Sequence, residues 1–85
     1  MDIVMGDLLT VEGKKYITLE TLTYENDKYA FVNKVIDEET VSDEYYIFKI
    51  INDEIVIVTE EELQKILLPK FQKLLEKDIN NILQD

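Results

Sequence analysis

Eighty-five residues with 46% hydrophobic content, nineteen carboxylates, nine cations and a formal charge of −10 describe a small folded chain, not a solvated acidic tail. The sequence has no Cys and no His, and every cation is a lysine. That removes thiol chemistry and thiolate zinc, an imidazole base near neutral pH, and the two-point grip of arginine on phosphate. No apolar run approaches the ~20 residues of a membrane span. The start, Met1-Asp2-Ile3-Val4-Met5-Gly6-Asp7, carries an acid where a secretory leader needs basic residues. The expectation is one soluble, cytoplasmic domain over residues 1–85.

Alternation with period 2 governs the first two thirds. Leu8 to Val11 reads as a first strand closed by a turn at Glu12-Gly13, where Gly13 supplies a positive φ. Tyr16 to Tyr24 and Tyr29 to Ile36 read as the second and third strands. Asn26-Asp27 is the expected two-residue turn between them, since both residues tolerate the left-handed region. That turn sets Tyr24 against Tyr29 and Leu22 against Phe31, with Thr18 and Val35 on the same face and Ile17, Thr21, Val32 and Ile36 on the other. The aromatic side is the expected core face.

Residues 37–44 hold five acids in eight and read as an exposed connection. Tyr45 to Ile51 and Ile55 to Val58 follow as the fourth and fifth strands, joined at Asn52-Asp53. The fourth strand is apolar on both faces, the pattern of a strand that is central or covered on both sides.

Thr59-Glu60-Glu61-Glu62 matches a capping box, with Val58 and Leu63 placed as a hydrophobic staple. Leu63, Ile66, Leu67, Phe71, Leu74, Leu75, Ile79 and Ile82 recur every three or four residues. They predict a helix over about 60–83, kinked at Pro69, with a break at Leu68-Pro69 as the alternative. A helix of roughly 36 Å outreaches strands of about 20–27 Å. Its far end, Ile79, Ile82 and Leu83, would then need a cover, and a second copy of the chain is the simplest. The expected fold is α+β: a five-strand antiparallel sheet of β-hairpins with a C-terminal helix packed on one face.

The charge is uneven along this frame. Ten of the nineteen carboxylates lie between Asp37 and Glu62, with Lys49 the one lysine among them. Such a field attracts cationic partners and repels nucleic acid and anionic membrane. Its members sit in turns, a loop and a helix start, which are wet places where paired carboxylates keep ordinary pKa values, so acid–base catalysis is not expected. Asp37, Glu38, Glu39, Asp43 and Glu44 offer oxygens to a divalent cation, but without the spacing or turn glycine of a calcium loop. No Gly-rich loop exists to cradle phosphate. Lys65, Lys70, Lys73 and Lys77 read as a solvated helix face. No catalytic residue, metal or cofactor is assigned.

The run Leu22-Thr-Tyr-Glu-Asn-Asp-Lys-Tyr-Ala-Phe-Val32, the second hairpin from Tyr45 to Val58 and the opening Thr-Glu-Glu-Glu-Leu63 resemble a family of short acidic proteins of Firmicutes and their phages and mobile elements. The resemblance implies a small antiparallel sheet plus a helix, and brings no catalytic residues. In size, charge and clustering the chain is also similar to DNA-mimicking anti-restriction and anti-CRISPR proteins, whose carboxylates stand in for phosphates. That likeness implies a non-enzymatic inhibitor of a basic, nucleic-acid-binding protein. The expected contact residues are Asp37, Glu38, Glu39, Asp43 and Glu44, then Asp53 and Glu54, then Glu60 and Glu61, with Tyr45 as an apolar anchor. The other readings are a structural or regulatory module, homodimeric through the helix end, and a cation-binding protein.

Overall fold

The computed structural model describes the backbone of residues 2–83 and the side chains of residues 2–79. Five strands precede one helix: β1 (Leu8–Val11), β2 (Lys14–Tyr24), β3 (Asp27–Asp37), β4 (Thr40–Ile51), β5 (Glu54–Ile57) and α1 (Glu61–Leu83). The strands pair antiparallel in sequence order, so each neighbour is reached by a tight turn. This is the expected α+β fold.

The turns follow from which residues accept positive φ. Glu12 and Gly13 do so at 52° and 78°, closing Val11 onto Lys14. Between β2 and β3 the left-handed pair is Glu25-Asn26, at 49° and 71°, not Asn26-Asp27. Two successive positive φ values make the turn whose twist matches a hairpin. Asp27 is thereby released to the strand, where its carboxylate lies 3.3 Å from Lys49 Nζ. The register moves accordingly: Tyr24 faces Asp27 and Leu22 faces Tyr29. This shift preserves side-chain parity, so the aromatic residues keep one common face. A bulge between Thr18 and Glu20 does change parity. It puts Ile17 on the aromatic side and Thr18 on the other, the reverse of the alternation. The N-terminal segment holds it in place: Thr18 N–H donates to the Asp7 carbonyl, and Gly6 N–H to that of Thr18, both at 2.8 Å.

Both faces of the sheet are buried, by different means. On one, Phe48, Ala30 and Val32 are 0% exposed although no helix lies over them. Leu9 and Val11 from β1 and Ile55 and Ile57 from β5 pack on this same cluster, so the sheet curls until its two edges share one interior. Buried Ile3 closes it. Tyr16 meets Phe48 and Tyr46 edge to face, at centroid distances of 4.9 and 5.7 Å.

The opposite face carries α1. Leu67 and Phe71 dock among Tyr29, Ile47 and Val58, and Phe71 stacks on Phe31 at 5.5 Å. Lys70 Nζ lies 5.6 Å above the Tyr24 ring. The helix therefore crosses from the β5 side of the sheet to β2. β4 lies next to the edge strand β5, with β3 at the centre, and is covered on both sides.

α1 is unbroken through Pro69. Its first hydrogen bond runs from Gln64 N–H to the Glu60 carbonyl, so Glu60, not Thr59, is the cap. The capping box is replaced by Gln64, whose amide donates back to the Val58 carbonyl at 3.0 Å. At the far end Ile79 is exposed. The side chains of Ile82 and Leu83 lie outside the described residues. No described helix is long and apolar enough to cross a membrane.

Thr18 Oγ1 is sealed from solvent and has no hydrogen-bond partner. Such a hydroxyl costs about 1–3 kcal/mol. Thr18→Val should therefore raise the midpoint of thermal unfolding by several degrees; a fall would show that the hydroxyl contributes to the bulge.

Candidate functional site

Residues 37–44, expected as a connection, form the outer end of a long β-hairpin. β3 continues to Asp37 and β4 starts at Thr40, leaving Glu38-Glu39 as the turn. Strand structure persists through charged sequence because two polar side chains hold it. Between Asn33↔Tyr45 and Val35↔Val41 the register breaks, and three residues of β4 oppose Lys34 alone. Buried Asn33 spans this bulge. Its amide nitrogen donates to the Ser42 carbonyl at 2.8 Å and to the Glu44 carbonyl at 3.0 Å. Ser42 Oγ donates to the Lys34 carbonyl and accepts from Glu44 N–H. The arm that carries Asp43 and Glu44 is thus fixed to the sheet from below.

Asp37, Glu38, Glu39, Asp43 and Glu44 are all exposed on this arm. Asp37 accepts from Glu39 N–H at 2.9 Å, and this bond, with one from Thr40, holds its carboxyl below the usual aspartate range. Glu44 lies 3.6 Å from Lys34 Nζ and accepts from Tyr46 Oη, which pushes the Tyr46 phenol up. Among the described residues no ion pair reaches Glu38, Glu39 or Asp43.

The remaining acids are elsewhere. Asp53 and Glu54 lie at the β4–β5 turn, at the other end of β4. The seven strand residues from Tyr45 to Ile51 separate Glu44 from Asp53 by roughly 25–30 Å, about three times the ~8 Å screening length. The arm acids and the β4–β5 turn acids are therefore independent patches.

Glu60 and Glu61 form a third group, at the helix start. The chain reaches it beside β4, where Val58 N–H donates to the Ile47 carbonyl. Tyr45 stands close by, 53% exposed, its ring stacked on Phe31 at 5.6 Å. Phe31, Tyr45, Gln64 and Leu68 line a notch of about 260 Å³ there. The structure thus brings Tyr45 to an apolar notch at the root of the acidic arm. Asn33, Ser42 and Gln64 were not anticipated; a lone Asn between Val32 and Val35 was the available signal.

Glu20, at the β2 bulge, meets Asp78 of α1. Burial, then the hydrogen bond shared with Asp78, pushes the Glu20 carboxyl up. Asp78 Oδ2 is sealed from solvent without a partner. A carboxyl whose folded pKa is raised contributes stability that is present below its unfolded value and lost as pH rises through the folded one. Lowering the pH from neutrality toward the ordinary glutamate value should therefore raise the unfolding temperature. Glu20→Gln should raise it at pH 7 and flatten the dependence. A wild-type midpoint that falls steadily over that range would contradict this.

Among the described residues no three carboxylates converge to hold a cation. Comparison with protein-family models, with curated proteins and with solved structures finds no match to this chain.

Proposed function

We propose that this chain is a non-enzymatic binding protein whose β3–β4 arm docks a basic, nucleic-acid-binding protein and blocks it, in the manner of anti-restriction or anti-CRISPR inhibitors. What carries this reading is Glu38, Glu39 and Asp43 held outward on a braced hairpin without lysine partners. A braced array of charges loses little freedom on binding and steers a cationic surface toward it. Tyr45, beside its notch, supplies the apolar anchor such an interface needs. Asp53 and Glu54 belong to the other patch and have no part in this contact.

The test is capture from a bacterial lysate on immobilised protein at two salt concentrations. Basic nucleic-acid-binding proteins should be retained at low salt and released by high salt or by duplex DNA. The triple variant Glu38→Lys, Glu39→Lys, Asp43→Lys should fold normally by circular dichroism and retain none of them. Equal retention by the variant, or retention indifferent to salt, would refute the proposal.

A further inference from the structure

The helix leaves part of its own face of the sheet uncovered. Cross-strand pairing sets Leu8 opposite Ile17, Ile17 opposite Asn33 and Asn33 opposite Tyr45. Directly paired residues share a face, so these four form a row across β1–β4 on the helix side. Val35 and Val41 face each other in the next row toward the arm tip. Neither row belongs to the cluster beneath α1, which ends at Phe31 and Ile47. Leu8 is 57% and Val41 54% exposed. A cleft of about 1150 Å³ opens over them.

The two sides of this cleft carry opposite charge. Lys14 and Lys15, at the β1–β2 turn, line one side, and the acids of the β3–β4 arm line the other. A two-fold axis lying in the interface and running along the cleft would set each lysine side against the acidic side of the other molecule, with the apolar floors in contact. A patch of this kind is complementary to itself, the requirement of an isologous dimer.

We propose that the cleft seats a second copy of this chain. The occupant follows from the charge arrangement: a purely basic partner would leave Lys14 and Lys15 opposed by like charge. The apolar floor supplies the attraction that must outweigh repulsion between two chains of charge −10. This goes beyond the proposed function and shares Glu38 and Glu39 with it, so a basic partner would have to displace the second copy from the arm; it places the dimer contact away from Ile79 at the helix end.

Sedimentation velocity over a concentration series tests it. Wild-type mass should rise from 10.0 kDa toward twice that value. Val41→Asp should weaken self-association by at least about tenfold, as desolvating a charge at an apolar contact requires, whereas Ile79→Asp should not. The variants Lys14→Glu with Lys15→Glu, and Glu38→Lys with Glu39→Lys, should each remain monomeric alone. Mixed one to one, they should associate again, because each lysine side then meets an oppositely charged rim. The lysine variant leaves the arm acids intact, so its failure to dimerise is separable from any loss of the basic partner. A wild-type mass fixed at 10.0 kDa, a dimer indifferent to Val41→Asp, or a mixture that stays monomeric would each overturn the proposal.

Discussion

Phe48→Ala is expected to destabilise the protein by about 3–5 kcal/mol. A chain of this length has a total stability of roughly 4–13 kcal/mol, so the variant should be substantially unfolded under conditions where the wild type is not. The effect is large because of where Phe48 lies. It is fully buried on the curled side of the sheet, its ring edge to face with Tyr16, and its strand neighbours pair to β3 and β5. A helix can shift to fill a void, but the curled interior has none above it. Its walls are strands fixed by their own ladders, so the cavity left by alanine would persist. Phe48→Leu retains most of the volume and should cost about 1–1.5 kcal/mol. Urea unfolding curves measure both. A loss below about 1 kcal/mol for the alanine variant would mean that the curl is loosely filled and that the docked helix carries the stability.

Local chemistry made much of this fold legible. Glu12-Gly13 and Asn52-Asp53 close their hairpins where residue type says they should, and the helix over about 60–83 is found at Glu61–Leu83. The aromatic face survived a misplaced turn because the pairing error was two residues, an even number. The bulge near Leu19 was not legible. It depends on hydrogen bonds from Gly6 and to Asp7, more than ten residues away, and no alternation pattern encodes them. The outer arm was missed because charged residues are poor strand formers, whereas Asn33 and Ser42 supply the bonds that hold it extended. The candidate site was legible as composition and not as geometry. Carboxylates adjacent in sequence are carried to opposite ends of the sheet by β4, which no count of charge reveals.

Asn33→Asp is the sharpest test of the arm, because it changes one nitrogen to oxygen and almost no volume. Both amide hydrogens of Asn33 point at carbonyls, those of Ser42 and Glu44. A carboxylate there would face two acceptors with nothing to donate, at a position only 4% exposed. Losing both bonds and burying a charge beside two carbonyl dipoles should cost about 3–5 kcal/mol at neutral pH. The substituted carboxyl would have a raised pKa in the folded state. The stability it withholds should therefore return as the pH falls toward its unfolded value, since the protonated acid regains one donor. Asn33→Ala would lose the bonds without burying a charge, and its smaller deficit should not recover in acid. Hydrogen exchange should localise the damage to both variants at residues 34–45, the segment the amide pins, with the Phe48 interior protected. Loss of protection across the whole sheet would instead make Asn33 part of the global core. An Asn33→Asp deficit that does not change with pH would mean that the two carbonyls find other donors and that the amide is not what holds the acidic arm in place.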